Sequence, residues 1–486
     1  MNVFDKSIDR HALSVGKALP SGRALNPIFS CRGGLTEGQR RVLRRSFLVA
    51  GVSGLFYPII MAYGLGIICL LVFLAMLLLR LFLTIYGFAS GAGRRSGFAM
   101  TGSETFSVAA ADQTWPVYSV LVPAYQEVPV MEQLAAALCR LNWPAARLDI
   151  QILLEAEDEA TCRAARAAAF PAGTRLTIVP PGGPRTKPNA LNFGLGRALG
   201  EFICVYDAED RPHPEQLREA YGRFRRSDPG LACLQAPLIG RAVCGSWISG
   251  HWALEYLVNF KLIQPALARL GLPVSLGGTS NHFRTSVLRE HGGWDAWNVT
   301  EDADLGYRLL RHSLRIEMIT SPTFEDAPDH FPVWLSQRSR WLKGFMKTWG
   351  VLMRTPGQLL SELGGLQFIC LQLTLGSAIL GPFLAAPLML GLIIGLCFGI
   401  FWSLPGWILL CLGLTVLILG DIMALRFASY HCWPSLLTRC AYWPLHTLAA
   451  IKAAWELVRC PWFWAKTPHT PSSKEESFEC WTGSLA

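Results

Sequence analysis

Gly200-Glu-Phe-Ile-Cys-Val-Tyr-Asp-Ala-Glu-Asp210 is a short apolar, β-rich run that stops at three carboxylates, Asp207, Glu209 and Asp210, with Pro212 forbidding the strand to continue. Such a strand is buried and delivers acid to a sheet edge. In an open α/β sheet ligands collect beyond the carboxyl ends of strands, so these acids face a site rather than a core. Two carboxylates one residue apart on a turn can hold a hard divalent cation, and such a cation commonly bridges nucleotide phosphates. The competing reading is a solvated acidic turn, which is common after strands.

Tyr118-Ser-Val-Leu-Val-Pro-Ala-Tyr-Gln-Glu127 reads as an apolar strand, and Val130 to Leu141 as a helix. Leu148 to Leu154 predicts a second strand ending in Glu155, Glu157 and Asp158, followed by an alanine-rich helix, Ala160 to Ala169. A third strand, Leu176 to Val179, runs into the Pro-Gly-rich loop Pro180 to Lys187, and Asn189 to Leu199 reads as a helix. This alternation predicts an α/β domain with a mostly parallel, Rossmann-like sheet. The glycines of Gly194-Leu-Gly-Arg-Ala-Leu-Gly200 precede a strand and lack the G-x-G-x-x-G spacing, which excludes a nicotinamide fingerprint.

The composition is not that of a soluble protein: 51% of residues are hydrophobic and only 16% charged. Ser46 to Leu79 carries no charge, and apart from Arg80 the apolar character continues to Gly91; this predicts a transmembrane hairpin over 46–91, turning at Tyr63-Gly-Leu-Gly66. Two spans keep Arg40, Arg41, Arg44 and Arg45 on the same side as Arg94 and Arg95, as the positive-inside rule prefers. Leu363 to Gly420 is again uncharged, enough for two or three helices over 363–426, and 427–466 reads as a further span or interfacial helix. Between these blocks lies the soluble domain, 92–335, followed by amphipathic interfacial helices over 336–362. Residues 1–45 read as a basic, disordered arm without a signal peptide, and 467–486 as a disordered tail too short for a regulatory domain. The net charge of +9 gathers beside the apolar blocks and no aromatic-interleaved basic stripe is present, so the partner is a lipid bilayer and not nucleic acid. The fourteen cysteines show no C-x-x-C pairs and read as small buried hydrophobes.

Three more groups in the soluble block carry candidate chemistry. Asn298-Val-Thr-Glu-Asp302 opens a helix-like run, Ala303 to Arg311; it is an N-cap followed by acids, or a carboxylate placed to take a proton from a hydroxyl. Gln337-Arg-Ser-Arg-Trp341, with Lys343, Lys347 and Trp349, is a basic membrane-surface helix, or an arginine fork for a pyrophosphate with an indole face for a sugar. Lys187, at a helix start after a Gly-Pro loop, is a solvated lysine or a phosphate contact.

Asp-x-Glu after the fourth strand, Thr300-Glu301-Asp302 and Gln-x-x-Arg-Trp, in this order and between membrane segments, resemble the family 2 inverting glycosyltransferases of the cellulose, curdlan and hyaluronan synthase type. The resemblance covers about 117 to 350. It implies a GT-A fold, a UDP-sugar donor with Mg2+ or Mn2+, and a catalytic domain on the cytoplasmic side of the inner membrane. Tyr125 and Glu127 would then lie by the nucleotide base, Glu155 or Glu157 would read the uracil edge, and Lys187 would contact the diphosphate. Asp207 and Glu209 would be the metal pair, with Asp210 beside them; Asp302, next to Glu301, would be the general base. Gln337, Arg340 and Trp341 would bind the pyrophosphate and the acceptor's terminal sugar, and Gly278, Thr279, Ser280 and Asn281 would line the acceptor site. The product expected is a β-linked exopolysaccharide passed out through the enzyme's own helices, with one sugar added to a lipid acceptor as the alternative and a nucleotide-regulated transporter as the rival from another class. Regulation or outer-envelope export would need separate proteins.

Overall fold

Tyr118–Ala124 (β1) is buried along almost its whole length, as a strand covered on both faces must be. Around it the chain adds Leu148–Glu155 (β2), Arg175–Val179 (β3), Phe202–Val205 (β4), Arg211–Pro212 (β5), Leu231–Gln235 (β6), Leu238–Arg241 (β7), Asn281–Arg284 (β8), Arg315–Met318 (β9) and Thr323–Asp326 (β10). The computed structural model describes residues 25–91, 115–243, 246–399, 404–427, 433–463 and 466.

Seven strands form one sheet in the order β3-β2-β1-β4-β8-β6-β9. β3, β2, β1 and β4 are parallel, β8 runs antiparallel between β4 and β6, and β9 is parallel to β6. β5, β10 and β7 form a small second sheet. The helices Met131–Cys139, Glu159–Ala167 and Lys187–Leu195 stand where the sequence predicts them, within a few residues at each end. This is a GT-A fold, Rossmann-like and mostly parallel. Alternate side chains of the central strands feed opposite faces: Val120, Ile152 and Cys204 face one core, while Leu121, Leu153 and Val205 face the other, which Leu83 and Cys370 from the apolar helices join.

The register positions the site. Leu121 pairs with Val205 on one side, and Val205 pairs with Asn281 on the other. The acid turn after β4 therefore lies between the end of β1 and the glycine loop that enters β8.

Among the described residues three helices are long and apolar enough to cross a membrane: Pro58–Ala89, Gly365–Phe398 and Gly406–Leu425. The turn expected at Tyr63–Gly66 is not there. The helix Pro58–Ala89 runs unbroken through both glycines, and the break falls at Tyr57, before Pro58. Proline lacks the amide that would continue the ladder, whereas glycines in an apolar helix still bond along it. The preceding helix, Glu37–Phe56, is charged in its first half and is not among the three.

Residues 25–45 are not a loose arm. Ser30 Oγ and Cys31 N donate to Asp295 (2.9 and 2.6 Å), and Arg354 donates to the carbonyls of Pro27, Ile28, Ser30 and Gly34. Gln39 Nε2 then donates to Gly350 O (2.7 Å) at the start of the first helix, and Arg269 Nη1 to Ser90 O (2.5 Å) at the end of the second. Residues 1–24 and 467–486 lie outside the described residues, as do 92–114.

Of the segment 427–466, the helix Leu445–Arg459 is too short to span. It packs against Phe331–Leu352 and Gly365–Phe398. Its Thr447 hydroxyl enters the latter helix between Pro382 and Pro387, accepting from Ala386 N (2.9 Å) and donating to Pro382 O (2.6 Å), a donor and an acceptor that a regular helix would pair with each other.

Candidate active site

The carboxyl ends of β1, β2 and β4 open onto a cavity of about 260 Å³. Tyr125 and Glu127 follow β1, Glu155 ends β2, and Asp207 and Glu209 follow β4; all five line it. Lys187, Gly278, Thr279, Glu301, Asp302, Gln337, Arg340 and Trp341 complete its wall. Residues more than two hundred apart in sequence are thus brought to one place.

Four of the expected residues are not on that wall. Asp210 is buried beneath it, its Oδ2 accepting from Asp207 N (2.8 Å) and from the Thr279 hydroxyl. It braces the turn, and burial with the neighbouring Asp207 charge pushes its carboxyl well above the usual range. Ser280 and Asn281 turn inward: Ser280, with φ 57°, bonds Thr323 Oγ1 (2.6 Å), and Asn281 donates to Gly277 O (2.7 Å). Glu157 is exposed and ion-paired with Arg185. Of the two second-strand acids, Glu155 is the one in the cavity, where burial raises its carboxyl.

Lys187 opens the helix Lys187–Leu195 and reaches the acid turn after β4. Its Nζ donates to Asp207 Oδ1 and to Gly278 O (2.6 Å). Burial alone would lower its pKa; Asp207 and Glu301 overturn this and hold it raised, so the ammonium is charged. Gly278 lies between this ammonium and Asp302. A Cβ there would stand 3.6 Å from Asp302 Oδ2 and 3.7 Å from Lys187 Nζ, so the bare glycine leaves the space between carboxylate and ammonium open.

Glu301 and Asp302 begin the helix Glu301–Arg311, and Thr300, its N-cap residue, makes no side-chain cap. The turn is held otherwise: Asn298 Oδ1 accepts from Thr300 N (3.2 Å), and Asn298 Nδ2 donates to Thr348 Oγ1 (2.8 Å) on the helix Phe331–Leu352. Burial and their mutual charge push the Glu301 carboxyl up; burial also raises Asp302, against the pull of Lys187. A buried carboxylate of raised pKa is suited to accepting a proton near neutrality.

Gln337, Arg340 and Trp341 occupy one face of Phe331–Leu352. Gln337 Oε1 accepts from Trp252 Nε1 (2.8 Å), and the Trp341 ring lies 6.0 Å from Tyr256. Arg340 faces the charges of Glu301, Asp207 and Glu209.

Sequence reasoning missed Glu325, Tyr256, Phe345 and Lys466, all of which line the cavity. Glu325 arrives on β10; burial, then Glu209 and Asp207, push its carboxyl well up. Lys466 Nζ donates to Glu127 Oε1 (2.6 Å) and Gln126 O (2.9 Å). No local signal marks them, because each depends on a distant pairing.

Among the described residues no group of three His, Cys, Asp or Glu is arranged as a ready metal cage. The donor set nonetheless fits a hard divalent cation: Asp207 and Glu209 offer carboxylate oxygens, and the repulsion that raises Glu325 is what a cation would relieve. One or two carboxylates completed by phosphate oxygens is the ordinary pattern for such an ion beside a nucleotide.

Residues 119–275 match the description Glycosyl transferase family 2, and residues 202–420 match Glycosyl transferase family group 2. Residues 119–420 are thus similar in sequence to the family 2 glycosyltransferases. It is 26% identical over 247 residues to a probable glycosyltransferase of Bacillus subtilis, covering 47% of this chain and 55% of that one. Identity is 27% over 297 residues to a β-monoglucosyldiacylglycerol synthase of Nostoc, covering 58% and 62%. It is 25% over 262 residues to a glucomannan 4-β-mannosyltransferase of Arabidopsis thaliana, covering 52% and 45%. The chain spans about half the length of the curated relatives it matches. A mannosyltransferase from Pyrobaculum calidifontis, solved with GDP-Man and Mn2+, shares the fold at a TM-score of 0.50 and 19% identity, covering 80% of this chain and 98% of that one.

Proposed function

We propose that this chain is an inverting β-glycosyltransferase that takes a sugar from a UDP-sugar, UDP-glucose or UDP-N-acetylglucosamine, and extends a saccharide at the cytoplasmic face of the inner membrane. The observation that carries the reading is the open space at Gly278, with Asp302 on one side and Lys187 on the other. Asp302 takes the proton of the acceptor hydroxyl as its oxygen attacks the anomeric carbon. The bond to the diphosphate breaks on the opposite face, and Lys187 and Arg340 bear on the negative charge that departs. One displacement inverts the centre, so an α-linked donor yields a β-linkage. A divalent cation held by Asp207 and Glu209, Mg2+ or Mn2+, would neutralise further charge on the leaving group. Trp341 and Tyr256 offer ring faces for the acceptor's terminal sugar, while Glu155 and Tyr125 stand where the base would lie.

Elongation to an exopolysaccharide is the first reading of the product. Transfer of one sugar to a lipid acceptor is the second, favoured by the similarity to a protein named as a β-monoglucosyldiacylglycerol synthase. The test is UDP release from a panel of UDP-sugars by membranes carrying the protein, with Asp302→Asn as control and the product sized. Turnover of one donor, abolished in the variant and giving polymer, supports elongation; a single-sugar lipid gives the second reading. Donor binding without turnover in wild type, even after addition of host membrane extract, counts against the transferase reading.

A further inference from the structure

The helix Trp247–Val258 meets Phe331–Leu352 at three successive points. Trp252 donates to Gln337, Glu255 is ion-paired with Arg338, and the Tyr256 and Trp341 rings lie 6.0 Å apart. Trp252 also stacks on Tyr256 at 3.8 Å. Gln337, Tyr256 and Trp341 line the cavity, whereas Glu255 and Arg338 stand behind it.

Glu255 has far more than one partner. Its Oε2 also accepts from Tyr442 OH (3.1 Å), and its Oε1 faces His446 Nε2 at 3.3 Å and Arg439 Nη2 at 3.5 Å. Arg439 Nε in turn lies 3.2 Å from Asp421 Oδ2, on the candidate span Gly406–Leu425. Burial opposes ionisation of Glu255, but Arg338, His446 and Arg439 outweigh it and hold the carboxyl well below its ordinary range. A buried ion cluster is a poor way to gain stability, because packed apolar side chains would serve as well. What it supplies is direction: the cluster admits few rotations of the helix it grips.

We propose that Glu255 is a positioning residue for glycosyl transfer: by pinning Arg338 it sets the rotation at which Gln337 and Trp341 meet the acceptor, and through Arg439 and Asp421 it keys that rotation to a membrane helix. This rests on the transferase reading above. Glu255 does not line the cavity, and Asp302, Lys187 and the acid turn stand on other elements, so its loss leaves them in place and spoils acceptor placement; Arg340 shares the gripped helix, so donor turnover falls too, but less. Water then competes better for the same carbon: its oxygen attacks, its proton passes to Asp302, and UDP and free sugar leave.

The experiment uses the full chain in lipid nanodiscs, with the UDP-sugar that wild type turns over and two acceptor probes, cellopentaose and dioleoylglycerol, following UDP, free sugar and transferred sugar together. In Glu255→Gln the ratio of hydrolysis to transfer should rise about tenfold or more, the scale expected of a small misplacement. Acceptor KM should rise more than donor KM, and Glu255→Asp, which keeps the charge, should recover part of the ratio. Proportional loss of both reactions, or a raised donor KM with the ratio unchanged, overturns the proposal. If Glu255→Gln does not accumulate, Tyr442→Phe removes one donor to Glu255 while keeping the ring; an unchanged ratio there overturns it equally. A wild-type chain that turns over no UDP-sugar counts against the transferase reading, whereas an active wild type with unaltered variant ratios counts against Glu255 alone.

Discussion

Gly344 lies directly against Thr300: a Cβ on the glycine would fall 2.4 Å from both Cγ2 and Oγ1 of the threonine. The helix bearing Gln337, Arg340 and Trp341 therefore rests on the turn that presents Glu301 and Asp302, and the two move as one body. Gly344→Ala forces them apart. Overpacking of this kind costs about 1–3 kcal/mol, and transfer should fall further than thermal stability. Activity assays beside thermal unfolding of the same preparation check this; unchanged turnover would show that the contact is dispensable.

The two acids after Asp207 should separate cleanly. Glu209 faces the cavity, while Asp210 braces the turn from below. Glu209→Gln should raise the Mn2+ or Mg2+ concentration for half-maximal turnover on the order of tenfold or more, since even outer-shell changes cost that much. Asp210→Asn, which retains an acceptor oxygen, should leave that concentration alone. Metal titrations of both variants decide the assignment.

Lys187→Met removes the ammonium shared by Asp207 and Gly278. Losing one charged hydrogen bond to the diphosphate, about 2 kcal/mol, should raise donor KM roughly thirtyfold. Initial rates against donor concentration test it, with acceptor KM as the internal comparison.

His282 sits in the sheet core, its Nδ1 2.7 Å from Tyr118 OH and its Nε2 3.1 Å from Gln216 Oε1, and burial lowers its pKa from 6.5 to about 3. The unfolded chain therefore binds a proton that the folded chain refuses. Stability attributable to this residue is present above pH 6.5 and declines as the pH falls toward 3, by about 1.4 kcal/mol per unit at most. His282→Gln should flatten that part of the acid slope. Unfolding temperatures of wild type and variant across pH 4–7 give the difference; parallel curves would refute it.

The parallel half of the sheet was legible because β1, β2 and β4 are dense apolar runs closed by acids or proline. β8 was not: Asn281-His-Phe-Arg284 has no strand periodicity, and only its place between β4 and β6 makes it one. The same limit hid Glu325, which reaches the cavity through the pairing of β10 with β7. It also left Glu209 and Asp210 indistinguishable, since which side chain points outward is set by the Thr279 hydroxyl, 69 residues away. At Tyr63–Gly66 a rule learned in water misled, because glycine marks a turn only where solvent can receive the backbone.

The first two helices leave the catalytic domain at Gly350 and rejoin it at Arg269. A body hung from one tether can swivel; hung from two, it keeps a single axis. The cavity mouth thus holds one bearing toward the apolar helix Pro58–Ala89.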